Sequence, residues 1–278
     1  MLTRVRYLIV AYNTSIQVYS AADSLLVRRI PISTLDSSAP KGSKPAIIVA
    51  MRLSKRSPNL IWVACSDGHI YHVDWTKKTQ SLESFHTKSG TAKAMVVLPM
   101  GDSKKGLEVV LVAESDKSFR LDIVAYLATK GQMPQSKNLL SLKKNGNGLH
   151  LLESSDDGQF LTGALNDRIF IGVLNTESVE NLDQLRQDFF SFDAPDLITS
   201  LDLKIATRNS KKSKADIGPV VDIIAGGARG GIYLYHDAVS RLQTFSKSKS
   251  DKETIQAQKL HWHRKAVHSV KWSRDGKF

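Results

Sequence analysis

One short phrase recurs five times along the chain, and it constrains the fold more than any other feature of the sequence. Each copy has a small or polar residue, an apolar residue, a variable residue and, in four of the five copies, a second apolar residue. Apolar residues that alternate with a period of two lie on one face of a strand, so each copy predicts a half-buried β-strand. The copies are Ser15-Ile16-Gln17-Val18-Tyr19, His69-Ile70-Tyr71-His72-Val73, Ser118-Phe119-Arg120-Leu121-Asp122, Arg168-Ile169-Phe170-Ile171-Gly172 and Gly231-Ile232-Tyr233-Leu234-Tyr235.

Further β-rich runs surround each copy of the phrase. A run ending in a turn signal precedes each copy and predicts a β-hairpin; the runs are residues 7–11, 60–65, 109–113, 160–164 and 220–225. A third run lies upstream of most copies, at residues 46–53, 92–98, 149–153 and 198–205, and a fourth lies downstream, at 25–30, 82–85, 139–142 and 189–192. The repeating unit is therefore a four-stranded antiparallel sheet.

The spacing of the phrase indicates long connections between strands. Measured between successive apolar markers, the spacings are 54, 49, 50 and 63 residues; the markers are Ile16, Ile70, Phe119, Ile169 and Ile232. These spacings exceed the roughly 40 to 45 residues of a compact WD repeat, in which four strands form one propeller blade. The repeats are therefore expected to carry insertions.

Two stretches resemble WD repeats directly. Residues 66–74, Ser-Asp-Gly-His-Ile-Tyr-His-Val-Asp, are similar to the Asp-Gly, Ile and terminal Asp of the repeat, with Val73 where the family often has Trp. Residues 154–161 match its Ser-x-Asp-Gly hairpin. The resemblance implies an all-β WD-repeat β-propeller, with about five blades present, a sixth begun and the fold incomplete at the C-terminus. Residues 1–278 then form one partial propeller, with blades at 1–30, 45–86, 91–142, 148–192 and 197–262 and the next blade starting at 263–278.

The last residues of the chain resemble the head of another repeat. His263 is followed by a polar turn, an alternating run of Val267, Val270 and Trp272, and a second Ser-x-Asp-Gly. We expect a half-buried strand and a hairpin here, with His263 hydrogen-bonding inside its own blade. The positions to which the resemblance gives a structural role are Asp67, Gly68, His263, Asp275 and Gly276.

Composition adds limits on partners and compartment. The net charge of +12 favours an acidic partner, most often a nucleic acid. The single cysteine, Cys65, excludes an internal disulfide framework and lies in an apolar run, which predicts a buried strand residue rather than a nucleophile. The N-terminus does not have the pattern of a secretory signal, and no run of 18 apolar residues occurs, so no membrane partner is expected.

Three features together resemble one particular family. They are the opening at residues 6–20, the phrase Leu260-His261-Trp262-His263, and a basic composition with long insertions between blades. They are similar to the N-terminal propeller of the WD-repeat family known as Nan-one, or WD-repeat protein seventy-five, a subunit of the UTP-A complex of the small-subunit processome. Members of that family are much longer than this chain.

The resemblance implies a non-catalytic scaffold in the nucleus and nucleolus. Such a subunit acts in processing the pre-ribosomal RNA of the small subunit and is linked to transcription of ribosomal DNA. Its implied partners are other UTP-A subunits, processome proteins and, directly or through them, pre-ribosomal RNA. No cofactor and no small-molecule substrate are implied.

Motifs for catalysis or metal binding do not emerge from the sequence. The eight histidines form no zinc-type cluster, and His261 and His263, two residues apart, lack a third ligand nearby. The glycine-rich stretch 226–231 admits a phosphate-loop or Arg-Gly-Gly RNA interpretation, but a strand phrase follows it rather than a helix, which favours a hairpin turn. We therefore predict no catalytic residue, no metal site and no enzyme activity.

Two insertions are rich in lysine. Residues 204–214 hold five cations and no acid, and residues 246–252 hold three lysines and one aspartate. Both are expected to be mobile loops, which are either solvated insertions or contacts to RNA phosphates. The candidate phosphate contacts are Lys204, Arg208, Lys211, Lys212 and Lys214. By contrast, Val179, Leu182 and Leu185 recur every three residues and predict a short amphipathic helix between residues 177 and 187.

A second functional class fits the same sequence. A generic WD-repeat adaptor, such as a ubiquitin-ligase receptor or a trafficking scaffold, would have the same repeats, and its positive charge would be incidental. Because a propeller is a platform for many kinds of partner, the repeats alone do not decide between the two classes.

Overall fold

The structure is a computed structural model that describes residues 7–35, 46–77, 82–100, 107–115, 120–127, 134–143, 151–175, 181–206, 219–248 and 255–273. The chain divides into two compact units. The first comprises residues 1–143 with 177–184, and the second comprises residues 144–176 with 185–278. No helix in the described part of the chain is long and apolar enough to cross a membrane.

Three antiparallel sheets make up the first unit. Sheet one contains β1 (Tyr7–Tyr12), β2 (Ser15–Ser20) and β3 (Leu26–Pro31), followed by a 3-10 helix at Ile32–Thr34. Sheet two contains β4 (Ile48–Leu53), β5 (Leu60–Cys65), β6 (His69–Asp74) and β7 (Glu83–His86). Sheet three contains β8 (Ala92–Met100), β9 (Leu107–Ser115), β10 (Arg120–Leu127) and β11 (Gln135–Lys143).

Two further antiparallel sheets make up the second unit. Sheet four contains β12 (Leu151–Ser154), β13 (Phe160–Leu165), β14 (Arg168–Asn175) and β15 (Arg186–Asp193). Sheet five contains β16 (Ile198–Ala206), β17 (Val220–Gly227), β18 (Gly231–Tyr235) and β19 (Gln258–Trp262), with helix α1 (Ala238–Ser248) between the last two strands.

Strands follow one another in chain order across every sheet, as the runs of alternating residues predict. Each strand pairs with the next through a hairpin, and the order is β1-β2-β3 in sheet one and four consecutive strands in each of the others. The predicted four-stranded repeat is thus confirmed for sheets two to five. In sheet one, the described residues supply three strands, and β1 lies at the edge.

A β-bulge recurs at the same place in three sheets. The first strand of sheets two, three and five carries one extra residue after its first position. These residues are Val49, Lys93 and Thr199. Because side chains alternate along a strand, the extra residue sets which side chains of the rest of the strand face the core.

Apolar side chains from consecutive sheets pack together within each unit. Ile16 of sheet one meets Val63 and Tyr71 of sheet two, while the other face of sheet two, around Trp62, meets Met95 and Tyr126 of sheet three. In the second unit, Phe160 and Ile171 of sheet four pack against Val221 and Tyr235 of sheet five. This face-to-face packing stabilises sheets whose strands are buried on both sides.

Helix α1 corrects one sequence prediction. The sequence predicted a mobile loop at residues 246–252, but Ser246–Ser248 form the end of this helix. The Ser240 hydroxyl donates to the Asp237 carboxylate at the helix start, and Val239 and Leu242 pack into the core of the unit. The apolar face of the helix overrides the low helix propensity of its serines and threonine.

Two other predicted elements also differ in the structure. Residues 266–273 form no strand, although Val267 and Val270 are buried as expected. The segment is held instead by the Ser200 and Thr199 hydroxyls, which donate to the Val267 carbonyl. In place of the helix predicted at 177–187, the described part of that range has a 3-10 helix at Leu182–Gln184, which suits a repeat of three.

Candidate interaction surfaces

The turn between β5 and β6 has the geometry that its Asp-Gly sequence predicts. Gly68 adopts φ +89°, and the Asp67 carboxylate accepts a hydrogen bond from the His69 N–H at 3.1 Å. A Cβ at Gly68 would lie 2.5 Å from the Thr87 hydroxyl, so glycine is required by space as well as by backbone angle. Asp67 and Gly68 thus build the turn. Asp275 and Gly276, assigned the same role, lie outside the described residues.

A second turn joins His263 to the glycine-rich stretch. Residues 228–230 link β17 to β18, so the hairpin interpretation is confirmed and the phosphate-loop alternative is not supported. The His263 N–H donates to the Gly230 carbonyl at 2.7 Å. This main-chain bond ties His263 to its own sheet, while the predicted role of its imidazole stays a prediction.

Lys204 is the one candidate phosphate contact that lies within the described residues. It lies on β16 and not in a mobile loop, which corrects the sequence prediction, and its Nζ is 5.3 Å from the centre of the Trp272 ring. Asp202 on the same strand pairs with Lys271 at 3.2 Å. A cation over an indole ring is favourable. Arg208, Lys211, Lys212 and Lys214 lie outside the described residues, so the structure does not test their role.

The first unit exposes an apolar groove beside β1. It has a volume of about 500 Å³, and its walls include Tyr7, Met51, Leu53 and Trp75. The Tyr7 and Trp75 rings lie 5.2 Å apart. Leu53 is 59% exposed. Contiguous exposed apolar surface of this kind is typical of protein contact sites.

A buried carboxylate, not foreseen from the sequence, links sheets two and three. Glu108 accepts hydrogen bonds from the Trp62 indole at 3.0 Å and from the Ser54 hydroxyl at 2.9 Å, and it pairs with Arg56 at 3.4 Å. The main-chain N–H groups of Lys55 and Arg56 donate to it as well. A buried charge is tolerated where it is paired and hydrogen-bonded in this way. A glutamate at the start of an otherwise apolar run was the available signal.

A second buried carboxylate, Glu114, lies in sheet three. It accepts hydrogen bonds from the Tyr126 hydroxyl and from the Ser89 N–H, the latter at 3.0 Å. Burial raises the pKa of Glu114, and burial together with the neighbouring carboxylate raises the pKa of Tyr126. The Tyr126 hydroxyl in turn accepts from the Lys88 N–H at 2.9 Å, so the pair anchors the loop before β8.

The next features are the surroundings of the residues that could act as nucleophiles or metal ligands. Cys65 is fully buried, as predicted, and burial raises the pKa of its thiol to about 12. Within the described ranges, no three side chains of His, Cys, Asp or Glu are grouped so as to hold a metal ion. His261 lies on β19.

The repeated sheets define the class of fold. Successive four-stranded antiparallel meanders that pack face to face are the blades of an all-β propeller of the WD-repeat type. Solved structures similar to this chain support that assignment. They include a crystal structure of the mitotic checkpoint complex, matched with a TM-score of 0.55 and 12% identity over 97% of this chain.

Two other solved structures are similar at the same level. One is a humanized mutant of the Chaetomium thermophilum Polycomb Repressive Complex 2 bound to the inhibitor GSK126, with a TM-score of 0.53, 14% identity and 89% of this chain covered. The other is the Myceliophteria thermophila Cps50 (Swd1) β-propeller domain, with a TM-score of 0.53, 13% identity and 93% covered. This chain spans 66%, 56% and 70% of the three matched chains. Such likeness shows the fold.

Sequence comparisons add no narrower relationship. No family model matches the chain. No curated protein matches it.

Proposed function

We propose that the chain is a non-catalytic scaffold subunit of the nucleolar small-subunit processome. In this role it acts in processing the pre-ribosomal RNA of the small subunit and is linked to transcription of ribosomal DNA. The observation that supports the scaffold role is the WD-repeat propeller fold. Chains similar to this one occur in the structures of the mitotic checkpoint complex and of the Polycomb complex.

The sequence resemblance at residues 6–20 and 260–263 is what supports the assignment to the processome. The opening that resembles the Nan-one family forms β1 and β2, and most of the Leu260-His261-Trp262-His263 phrase forms β19, the last strand of sheet five. Both are therefore parts of the repeat itself. The net charge of +12 is consistent with work beside a polyanion such as pre-ribosomal RNA.

Protein partners are favoured by the exposed apolar groove beside β1. Other UTP-A subunits and processome proteins are the proposed occupants of such surfaces, and pre-ribosomal RNA is reached directly or through them. The proposed location is the nucleolus within the nucleus. The buried carboxylates Glu108 and Glu114 hold loops and strands in place.

Affinity purification from cells of the source organism tests this proposal. The tagged protein is isolated, and the recovered proteins and RNAs are identified together, with a tagged unrelated propeller as the control. We expect processome proteins and pre-ribosomal RNA, and a nucleolar signal by microscopy. Recovery of ubiquitin-ligase or trafficking components without pre-ribosomal RNA would refute the proposal and favour the generic adaptor.

A further inference from the structure

A cavity of about 640 Å³ opens on the second unit. Three stretches wall it: residues 193–195 at the end of β15, the turn and start of β18 from Arg229 to Tyr233, and residues 255–259, which include the start of β19. The Ala194 N–H donates to the Asp167 carbonyl, the Gly230 N–H donates to the Gly227 carbonyl, and Lys259 pairs with Tyr233 across β18 and β19, so part of each wall is fixed by the main chain. We call this cavity the Arg229 pocket.

Arg229 is fixed at the mouth of the pocket. Its main-chain N–H and its Nε donate to the two oxygens of Asp196, at 2.9 and 3.2 Å, and its Nη2 donates to the Pro195 carbonyl. A guanidinium has five N–H donors, so these bonds hold the side chain in place and leave donors for a ligand. The side chain is 73% exposed, while the Asp196 side chain is 3% exposed. Arg229 is thus oriented before any ligand arrives.

Tyr233 brings an unpaired hydroxyl to the pocket. The residue is 7% exposed and lines the cavity. No hydrogen bond to its hydroxyl comes from the residues that the structure describes. The ring lies over Gly231, where a Cβ would be 2.3 Å from the hydroxyl oxygen. Burial and Asp196 raise the pKa of Tyr233, so the hydroxyl keeps its proton as a donor at neutral pH.

Lys259 completes a positive rim. It is the cross-strand partner of Tyr233 between β18 and β19, and side chains paired in this way lie on the same face of a sheet. Asp193 also lines the pocket, but its carboxylate is 3.6 Å from the Arg168 guanidinium. Because Asp196 offsets Arg229 and Arg168 pairs with Asp193, the excess positive charge of the rim is that of Lys259, and it favours an anion. The inner wall is apolar and small, with Ala194, Pro195, Ile255 and Ala257.

We propose that the Arg229 pocket binds an acidic peptide segment that inserts one aliphatic side chain. The aliphatic side chain contacts the apolar wall, and the flanking carboxylates accept hydrogen bonds from Arg229, Lys259 and the Tyr233 hydroxyl. A peptide fits better than single-stranded RNA because base binding uses exposed aromatic faces, and the Tyr233 ring lies against its own strand. This inference does not depend on the processome assignment, since it concerns one site on the second unit.

Fluorescence anisotropy with the full chain tests the proposal. The probe is a fluorescein-labelled peptide with one leucine flanked on both sides by glutamates. We expect Lys259→Glu to weaken binding by about tenfold or more, since it reverses a charge at the rim. Tyr233→Phe, which removes only the hydroxyl, is expected to weaken binding by about threefold to tenfold, the usual effect of losing one hydrogen bond.

Arg186→Glu is the matched control. Arg186 is an exposed arginine at the start of β15, and the pocket lies beyond the end of that strand, about 23 Å along it. This variant changes the net charge as Lys259→Glu does, and its affinity is expected to stay within about twofold of the parent. Circular dichroism melts check that each variant is folded.

Several results would overturn the proposal. Failure of the parent chain to bind the probe excludes an acidic-peptide site, and equal weakening by Lys259→Glu and Arg186→Glu shows that net charge alone is responsible. Equal binding of a peptide with lysines in place of glutamates would show that the site does not recognise negative charge. If labelled oligouridine loses affinity in Lys259→Glu and Tyr233→Phe while the peptide does not, the site is for RNA. None of these results bears on which proteins copurify with the chain.

Discussion

The indole N–H of Trp62 donates to the Glu108 carboxylate at 3.0 Å, and both side chains are almost fully shielded from solvent. Trp62 lies on β5 and Glu108 lies on β9, so the bond joins two consecutive sheets. The Trp62 ring also stacks on His72, with 4.2 Å between ring centres. The first unit therefore contains a polar link inside an otherwise apolar interface.

Removal of this carboxylate should destabilise the protein strongly. Glu108→Ala leaves the Trp62 indole and the Ser54 hydroxyl without their acceptor, whereas Arg56 keeps its contact with Glu83, and each buried polar group left unpaired costs about 1 to 3 kcal/mol. Urea unfolding measures the change. The control Asp188→Ala removes an exposed carboxylate and should stay within about 0.5 kcal/mol. A loss below about 1 kcal/mol for Glu108→Ala would show that the network contributes little.

Glu114 should make stability fall as pH rises. Burial raises its pKa above the ordinary value of 4.5, so the folded state holds this proton at pH values where the unfolded state has released it. Its favourable contribution is full below about pH 4.5 and is lost as pH rises through the native pKa. Glu114→Gln, which carries no titrating group, should unfold with a weaker pH dependence over this range. Identical pH profiles of unfolding for the two proteins would contradict the prediction.

Alanine substitution at two glycines with positive φ distinguishes the stability loss due to backbone strain from the loss due to steric clash. Gly68→Ala and Gly90→Ala both place an L-residue at positive φ, which costs about 1 to 2 kcal/mol. At Gly68 the new Cβ also lies 2.5 Å from the Thr87 hydroxyl, whereas at Gly90 the nearest atom is 3.9 Å away. We therefore expect a clearly larger loss at Gly68, measured by thermal unfolding. Equal losses would mean that Thr87 and the Gly90 main chain, which lies 2.8 Å from the new Cβ, both move aside at no cost.

Cys65 should resist thiol reagents in the folded protein. The side chain is fully buried and its pKa is raised to about 12, so the reactive thiolate is absent near neutral pH and the reagent has no access. Labelling with an aromatic disulfide reagent should be slow in buffer and fast in denaturant. Rapid labelling under native conditions would show that β5 opens readily.

The cations beyond β16 should set the salt dependence of any RNA binding. If all four contact phosphates of a single strand, replacement of Arg208, Lys211, Lys212 and Lys214 by Ser should reduce the slope of log K against log salt by at most about 2.8. Lys204 is best kept, because it lies over Trp272 and its loss removes a structural contact. Filter binding of pre-ribosomal RNA at several salt concentrations gives the slope. An unchanged slope would identify a solvated insertion.

The sheets could be predicted from the sequence because their signal is local. Alternation around Ile16, Ile70 and Ile169 marks strands, and turn residues such as Asp67-Gly68 mark where the chain reverses, although the strands at Ile70 and Ile169 are buried on both faces and not half-buried as predicted. A turn is marked by two neighbouring residues and a strand by a run of about four to eight, so both signals are local. Strand positions were accordingly close to those observed, apart from β19, for which no run was predicted, and the segment at Val267, where side-chain hydroxyls take the place of a strand partner.

The remaining features depend on contacts between residues far apart in the chain. Glu108 meets a tryptophan 46 residues away, and Arg229 meets an aspartate 33 residues away, so neither pairing has a local pattern. Helix α1 was missed since its apolar face is short, with the Asp237 cap as the one available sign. The Arg229 pocket likewise arises where three separate stretches meet.

The connections between repeats vary in length, whereas the extra residue near the start of β4, β8 and β16 sets the register of its strand. In the connections, length is free to change, as the spacings from 49 to 63 residues between repeats show. At Val49, Lys93 and Thr199, deletion of one residue would turn the rest of the strand over and bring its outward side chains into the core. The three bulges share no side chain, yet all three have the same offset. In these three sheets, the register of the first strand is therefore set by the backbone geometry of the bulge and not by a particular residue type.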